Sequence, residues 1–393
     1  MSRRRVIIDT DPGVDDVLAL LYALASSDLH VLAITTVHGN IDLTNTTRNT
    51  ISLFNVLYDA HTSGQSTNWI DRLFEEDKIT LAAGAKTPLV PEAQLDASYF
   101  HGRDGLGGVS DVYPQYLPEP GWESSFPSLR GERLASTRQF AGLVPAQREA
   151  HDEILDILAR EEADTVTIVA LGPLTNLSLA MTKDDACFCR TREVVIMGGA
   201  LRVPGNVTPK SEFNFMADPE SASHVLSYSS PTPSSTHPTS PLSSGTRLRV
   251  TLLPLDTTTA VSLSHGAWRG GGNQGTVLKR WCDVFVERTF ANAQTLYSDT
   301  SIEKLTLSMH DPSCIWYLLH SISPTPTAQQ WHVERDVDVR VECTGTWTRG
   351  ACVVDDRGRE RILEGVEERA GSDEGGWLHR HKGNRDAMGA IFG

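Results

Sequence analysis

The chain has 393 residues, and 39% of them are hydrophobic, which is ample material for a large buried core. Its 50 acidic residues outnumber its 35 lysine and arginine residues, and the net charge of −15 disfavours a nucleic-acid partner because phosphate is repelled. No apolar run approaches the roughly 18 residues of a membrane-spanning helix, and the apolar stretch after the N-terminal arginines is too short for a signal peptide. We expect no membrane partner.

Six cysteines are scattered along the chain, a pattern that disfavours a disulfide scaffold. Cys187 and Cys189 could supply half of a zinc site, but no second pair of cysteines has the spacing that zinc sites use. We therefore expect reduced thiols and a cytoplasmic protein.

Short apolar runs alternate with helical patterns, and each run is typical of a buried parallel strand. In chain order, the predicted strands and the helices that follow them are 6–8 with 17–24, 31–34 with 46–57, 165–171 with 174–181, and a strand at 194–197. This alternation predicts an α/β fold with a mostly parallel, doubly wound, Rossmann-like sheet, in which ligands bind at the carboxyl ends of the strands. We expect a single domain over 1–393, with inserted loops at 61–78, 113–149 and 228–246.

The first strand runs into the sequence IIDTDPGVDD (7–16), which contains four aspartates: Asp9, Asp11, Asp15 and Asp16. Helix capping explains one or two of them, but it does not explain two carboxylates at the end of a buried strand. Two like charges ~4 Å apart repel by roughly 4 kcal/mol at an effective dielectric constant of about 20. A bound Ca²⁺ or Mg²⁺ would relieve that repulsion, so we favour a metal site over a solvated turn.

A second polar stretch, GNVTPKSEFN (205–214), follows the strand that ends in Gly198 and Gly199. Asn206, Glu212 and Asn214 offer both acceptors and donors, and the vicinal hydroxyls of a sugar need both. The alternative is a turn whose polar side chains satisfy their own backbone.

Two further stretches carry weaker signals. The sequence of His310, Asp311 and Pro312 is typical of an ordinary helix start, with Asp311 as N-cap and proline in the first turn. The glycine-rich loop at 101–108 fits neither a P-loop nor a dinucleotide fingerprint, and we interpret it as a mobile lid.

Taken together, these stretches resemble the inosine–uridine-preferring nucleoside hydrolase family. Residues 9–16 resemble its signature D-x-D-P-G-x-D-D and match it at every specified position. The other similar stretches follow in the family's order: VHGN (37–40), the glycine loop from 101, LGPLTN (171–176), MGG (197–199), 205–214, and His310 with Asp311. The resemblance covers most of the chain outside the three insertions, and it implies a hydrolase acting on the N-glycosyl bonds of purine or pyrimidine ribonucleosides.

The resemblance also implies a role for individual residues. The implied Ca²⁺ ligands are Asp11, Asp16, Asp311 and the main-chain carbonyl of Leu171. The implied contacts to ribose are Asp15, Asn40 and Asn214, with Asn206 and Glu212 near the 5′-hydroxyl. Asp11 would also be the general base that takes a proton from a Ca²⁺-bound water, and His310 would polarise or protonate the leaving base.

Family members are commonly dimers or tetramers, so the resemblance implies a homo-oligomer with a part in nucleoside catabolism and purine salvage. Tyr297 could approach the base, but it is equally explained as an ordinary aromatic. Asp9 has no implied role beyond hydrogen-bonding support.

Two other functions are compatible with parts of the sequence. A Mg²⁺-dependent phosphohydrolase of the haloacid dehalogenase type also begins with Asp-x-Asp after a strand, but the later lysine and acidic pair of that class are not evident. A non-catalytic ribose- or calcium-binding protein is the second alternative, although such a protein would be expected to have lost Asp11 or Asp311.

Overall fold

The computed structural model describes residues 3–91, 95–129, 140–229, 248–272, 274–296, 301–323, 332–335, 337–356, 359–361, 380–382 and 389–392. Its centre is a sheet of seven parallel strands. Their bounds are β1 (Arg4–Thr10), β2 (Leu29–Thr36), β3 (Ile79–Ala83), β4 (Leu143–Pro145), β5 (Val166–Ala170), β6 (Glu193–Met197) and β7 (Val250–Leu253). The strand order is β4-β3-β2-β1-β5-β6-β7, so β1 lies in the middle of the sheet, between β2 and β5.

Fourteen helices accompany the strands in the described residues. They are α1 (Val14–Ala25), α2 (Leu43–Thr62), α3 (Asn68–Glu75), α4 (Ser98–His101), α5 (Val109–Val112), α6 (Ala150–Arg160), α7 (Thr175–Lys183), α8 (Asp185–Phe188), α9 (Phe213–Ala217), α10 (Pro219–Ser227), α11 (Leu255–Thr258), α12 (His265–Gly270), α13 (Val277–Leu296) and α14 (His310–Ile322). Short 3₁₀ turns occur at Pro114–Tyr116, Trp122–Ser125, Pro127–Leu129 and Ile302–Lys304.

The central strand is buried on both faces, as its continuous apolar run predicts. Val6 and Ile8 point into the core formed with α1, α2, α13 and α14, whereas Ile7 points into the core formed with α6, α7, α8 and α10. All three side chains are fully buried. The predicted doubly wound parallel sheet is therefore confirmed, and β1 delivers its carboxyl end to the centre of the sheet edge, where such folds bind ligands.

Four small antiparallel pairs complete the described strands. They are β8 (Ser262–Ser264) with β9 (Thr306–Ser308), β10 (His332–Arg335) with β15 (Gly389–Phe392), β11 (Arg340–Val341) with β12 (Cys352–Val353), and β13 (Arg359–Arg361) with β14 (Arg380–Lys382). Cys352 of β12 packs against Gly199, which follows β6, so the β11–β12 pair lies near the carboxyl end of that strand.

The predicted insertions have different outcomes. The stretch at 61–78 contains α3, whose Ile70 is buried in the main core, so part of it is ordinary packed structure. Residues 130–139 of the second stretch, nearly all of the third stretch, and Tyr297 lie outside the described residues. The six cysteines, all within the described chain, are free thiols. Among the described helices, none combines the length and the apolar character needed to cross a bilayer.

Replacing Phe54 by alanine should lower the free energy of unfolding by about 3–5 kcal/mol, because this side chain of α2 is fully buried and its removal leaves a cavity. Tyr58→Ala is the matched control, since Tyr58 lies on the same helix and is 48% exposed. Urea unfolding of both variants measures the difference, and equal losses would contradict the described packing of α2.

Candidate functional site

The turn between β1 and α1 is built closely against two other segments. Gly13 is the N-cap of α1, and a β-carbon on it would lie 2.8 Å from Asn40 Nδ2 and 2.9 Å from His101 Nδ1. The main-chain N–H of Val14 also donates to His101 Nδ1 at 3.3 Å. The start of α1 is therefore held in contact with the segment after β2 and with the beginning of the glycine-rich loop.

Asp16 is the hydrogen-bonding centre of this turn. Its carboxylate accepts bonds from the Thr10 hydroxyl at 2.5 Å, from the Gly13 N–H at 3.0 Å and from Asn40 Nδ2 at 2.9 Å. The bond from Gly13 closes the first turn of α1, so Asp16 is the aspartate that fulfils the expected capping role. Thr10 and Asn40 fix the orientation of the carboxylate from the other side.

Asp11 lies in a slot between two glycines. Its Oδ2 accepts the Asn40 main-chain N–H at 2.6 Å, whereas its Oδ1 is buried and has no hydrogen-bond partner in the described part of the chain. A β-carbon on Gly39 or on Gly172 would lie 2.1 Å or 2.4 Å from the carboxylate oxygens. Both positions therefore require glycine, and one oxygen of Asp11 is left for a ligand.

Asp15, Asp16 and Asp311 form an acidic cluster beside this slot, with one carboxylate oxygen of each lying within 4.8 Å of the others. Asp311 comes from α14, which begins at His310 with Met309 as its N-cap. The expectation that Asp311 is the N-cap was therefore wrong: it lies inside the first turn, where its side chain is free to join the cluster.

Burial is the main cause of the raised pKa values of these carboxyl groups. It raises the pKa of Asp15 to about 7, and it raises the pKa of Asp11 and Asp311 well above their ordinary value, with neighbouring carboxylates adding to the effect. A hard cation would relieve both the desolvation and the repulsion, and carboxylate oxygens are the donors that such cations prefer. Together with the unpartnered Asp11 oxygen, this donor set fits a divalent metal ion.

Leu171 and Asn214 meet at the end of β5. The Leu171 N–H donates to the main-chain carbonyl of Asp9 at 2.8 Å, and the Leu171 carbonyl accepts from Asn214 Nδ2 at 2.6 Å. A carbonyl oxygen has two lone pairs, so this contact leaves one for another ligand. Asn214 also donates to the Met197 carbonyl at 3.3 Å and thereby links the ends of β5 and β6.

Asp9 is not part of the acidic cluster. Its Oδ1 accepts from the Thr35 hydroxyl and from Asn176 Nδ2, the latter at 2.8 Å. Asn176 donates as well to the Thr36 carbonyl, and its Oδ1 accepts the Ala85 N–H at 2.9 Å. Asn176, the last residue of the LGPLTN stretch, thus links the ends of β1, β2 and β3, a role that its sequence pattern does not indicate.

The stretch at 205–214 satisfies much of its own backbone. Glu212 is the N-cap of α9 and accepts from the N–H groups of Asn214 at 2.8 Å, Phe215 at 3.1 Å and Gly199 at 2.8 Å. Asn206 is exposed, and its Oδ1 accepts the Phe213 N–H at 3.0 Å. These bonds agree with the alternative interpretation, in which the polar side chains of the stretch satisfy backbone groups. The contact of the stretch with a sugar stays a prediction.

His310 is partly buried at the start of α14. Its Nδ1 lies 2.8 Å from the hydroxyl of Thr258 on α11, a partner that no sequence pattern indicates. Burial lowers the pKa of His310 to about 4, so the imidazole is neutral near pH 7.

The glycine-rich loop packs beside the site in this structure, and its role as a mobile lid stays a prediction. The Asp104 carboxylate accepts the N–H groups of Leu106, Gly108 and Ser110, and the side chain of Asn49 donates to the Asp104 carbonyl. Leu106 is fully buried. These contacts, together with the bond from the Val14 N–H to His101, place the loop against the start of α1.

Carboxylates that converge at the carboxyl edge of a doubly wound sheet define a ligand site of the α/β enzyme class. The family model for inosine-uridine preferring nucleoside hydrolases matches residues 6–374, and the protein belongs to this family. Its members are hydrolases that act on N-glycosyl bonds, as the sequence resemblance implied.

Three similar proteins illustrate the breadth of the match. An uncharacterized protein of Schizosaccharomyces pombe is 29% identical over 355 residues, which is 89% of each chain. The non-specific ribonucleoside hydrolase RihC of Salmonella paratyphi A is 35% identical over 221 residues, and this alignment covers 56% of the present chain and 57% of RihC. The structure of a purine-preferring ribonucleoside hydrolase from Gardnerella vaginalis superposes with a TM-score of 0.62 at 22% identity, covering 90% of this chain and 89% of that one.

Without a divalent cation, the protein should lose stability as the pH rises from about 4 to about 7. The pKa of Asp9 and of Asp15 is raised to about 7, so over this range the unfolded chain releases protons that the folded chain keeps, and the free energy of unfolding falls. Added Ca²⁺ or Mg²⁺ should restore more stability at about pH 7 than at about pH 5, because its ligands must be deprotonated. Thermal unfolding with chelator or with metal measures both effects.

The control for this experiment is a pair of isosteric variants. Asp311→Asn should shrink the metal-dependent shift in melting temperature, whereas Asp28→Asn should leave it unchanged because Asp28 is exposed and remote from the cluster. An undiminished metal effect in Asp311→Asn would contradict a cation site at this cluster.

Proposed function

We propose that this protein hydrolyses the N-glycosidic bond of ribonucleosides and releases ribose and the free base. The observation that carries the proposal is the buried and unpartnered Oδ1 of Asp11, which lies beside the acidic cluster at the carboxyl end of the central strand. Membership of the nucleoside hydrolase family supports the same reaction.

In this proposal Asp11, Asp16, Asp311 and the Leu171 carbonyl hold a Ca²⁺ ion. Such an ion would supply Lewis acidity toward a water molecule and toward the ribose hydroxyls. The support for these ligands is the free oxygen of Asp11, the carboxylates of the cluster and the remaining lone pair of the Leu171 carbonyl.

Asp11 is the proposed general base. The Asn40 N–H fixes Oδ2 at 2.6 Å, and the two lone pairs of the unpartnered Oδ1 allow it to hold the ion with one and to accept a proton from the attacking water with the other. Burial raises the pKa of Asp11, and a higher pKa makes a carboxylate a stronger base. The proton therefore moves from the water to Oδ1 as the new bond forms at the anomeric carbon.

The ribose is bound by the polar groups around this carboxylate. Asp15, Asn40 and Asn214 are the proposed partners of its 2′- and 3′-hydroxyls, with Asn206 and Glu212 near the 5′-hydroxyl. Cleavage of a ribosyl C–N bond passes through a state that resembles an oxocarbenium ion, and surrounding carboxylates stabilise its positive charge.

His310 is the proposed donor to the departing base. In this proposal the Thr258 hydroxyl, 2.8 Å from Nδ1, donates to that nitrogen, so the N–H of the neutral imidazole is on Nε2 and donates a hydrogen bond to the departing base. No second carboxylic acid outside the acidic cluster is placed for this step in the described site.

Base preference is left open between purines and pyrimidines, because one similar protein is named non-specific and another purine-preferring. The proposal also includes a cytoplasmic homodimer or homotetramer that acts in nucleoside catabolism and purine salvage. Family membership sets aside the haloacid dehalogenase alternative, and the assay below tests the non-catalytic one.

Purified protein should release reducing sugar from at least one of inosine, guanosine, adenosine, uridine and cytidine, and a chelator should abolish the release. Asp11→Asn should lower kcat by about a hundredfold or more, because it removes the general base. Asp28→Asn is the control and should keep full activity, since Asp28 is exposed. Absence of ribose from all five nucleosides would refute the proposed reaction, and near-normal turnover in Asp11→Asn would remove Asp11 from the role of base.

His310→Gln should slow hydrolysis of inosine or uridine much more than hydrolysis of p-nitrophenyl riboside. The nitrophenolate leaves without protonation, so it does not need the donor that the variant lacks. Steady-state kinetics with both substrates give the ratio, and His320→Gln on the same helix serves as the control. An equal loss with both substrates would show that His310 does not act on the leaving group.

A further inference from the structure

A turn near the C-terminus contacts the stretch that carries Glu212 and Asn214. We call residues 342–352 the C-terminal turn and residues 205–214 the ribose loop. The hydroxyl of Ser211, in the ribose loop, donates to the Arg349 carbonyl at 2.5 Å, and Ser211 also pairs with Ala351 as an isolated antiparallel bridge. Ser211 is fully buried, so the two segments meet in the interior of the protein and not at its surface.

Ser211 also makes the hydrogen bonds that close the ribose loop. Its carbonyl accepts the N–H groups of Val207 and Thr208, and its own N–H donates to the Thr208 hydroxyl at 2.9 Å. A β-carbon on Gly205 would lie 2.2 Å from the Ser211 carbonyl oxygen. Because Ser211 directly precedes Glu212, any displacement of Ser211 moves Glu212 as well.

The C-terminal turn reaches Glu212 from a second direction. Cys352 packs against Gly199, where a β-carbon would lie 2.8 Å from the cysteine sulfur. The Gly199 N–H in turn donates to Glu212 Oε2 at 2.8 Å. The C-terminal turn therefore holds both the residue before Glu212 and one of the donors to its carboxylate.

The C-terminal turn is itself fixed to the core of the protein. The Arg349 guanidinium forms two parallel bonds to Glu220 of α10, at 2.6 Å and 2.8 Å, and it also bonds the Cys343 carbonyl. Bidentate pairs of this kind restrict geometry more than a single contact does. Gly350 has a φ of +78°, and a β-carbon on it would lie 2.8 Å from Met216 Cα in α9. The close approach to α9 thus requires glycine.

We propose that the C-terminal turn positions Glu212 and Asn214 for the substrate, with Ser211, Arg349 and Gly350 as positioning residues. The inference rests on the proposed role of the ribose loop in binding ribose. Glu212 accepts the Asn214 N–H, and Asn214 donates to the Leu171 carbonyl, so the position of the C-terminal turn is transmitted to the centre of the site through three hydrogen bonds. Contacts made more than 130 residues away in the chain therefore determine the geometry of the site.

Gly350→Ala tests this inference directly, because the added methyl group must push the C-terminal turn away from α9. Gly64→Ala is the matched control, since Gly64 has a φ of +73° but nothing within 4 Å of the position of the new carbon. Hydrogen–deuterium exchange should become faster in peptides spanning 199–216 of Gly350→Ala and stay unchanged there in Gly64→Ala. The value of kcat/KM for ribonucleosides should fall on the order of tenfold or more in the first variant alone, as expected for a displaced binding group.

A comparison of substrates separates positioning from simple destabilisation. The ribose loop is proposed to contact the 5′-hydroxyl, so Gly350→Ala should lose more activity with a ribonucleoside than with its 5′-deoxy analogue, and KM should change. Partial unfolding would lower kcat equally for both and leave KM unchanged. Ser211→Ala is the milder variant if Gly350→Ala does not fold, and it should show the same pattern with a smaller amplitude.

Unchanged exchange in 199–216 would overturn the inference, and so would a uniform loss of kcat with an unaltered ratio of substrates. The proposed function fails separately, if the unmodified protein releases no ribose from any nucleoside. In that case faster exchange in Gly350→Ala would still show that the C-terminal turn holds the loop.

Discussion

Repulsion between buried carboxylates governs the architecture around the end of β1. Asp15, Asp16 and Asp311 lie within a few ångströms of one another, and Asp11 is fully buried next to them. In the described part of the chain no lysine or arginine is ion-paired with any of them. Such a group of like charges is unstable unless other polar groups oppose it. The neighbouring backbone and side chains stabilise the group by donating hydrogen bonds to its carboxylates.

Most of the groups that stabilise these carboxylates are neutral hydrogen-bond donors. Asn40 supplies two of them, its main-chain N–H to Asp11 and its amide to Asp16, while Thr10 and Gly13 complete the bonds to Asp16. The glycines at 39 and 172 make room for the Asp11 carboxylate, because a β-carbon at either position would overlap it. Neutral donors lower the cost of burying the charges without cancelling them. The remaining negative potential is therefore available to a cation and to the positive charge of a transition state.

The parts of this arrangement that depend on local pattern were predictable from the sequence. The apolar runs gave β1, β2, β5 and β6, and the crowding of aspartates in IIDTDPGVDD indicated the acidic site. The position of Asp311 within its helix was not predictable, because an Asp-Pro pair is typical of an N-cap, whereas the structure has Met309 as the N-cap and Asp311 two positions after it. The contacts of Thr258 with His310 and of Arg349 with Ser211 join distant segments, and no spacing in the chain reports them.

The hydrogen bonds inside the site also restrict what it can bind. Asn40 and Asn214 both use their amide nitrogens for internal bonds, and among the described residues their amide oxygens have no partner. Beside the acidic cluster, the groups left for a ligand are therefore mainly acceptors: these two oxygens, the Asp11 oxygen and the carboxylates of the cluster. Sugar hydroxyls can donate to such a surface and a cation can bind it, whereas a phosphate group brings only acceptors and negative charge. The site therefore suits a ligand that brings hydroxyl donors or positive charge, and this preference follows from the two asparagine amide nitrogens that the fold has already used.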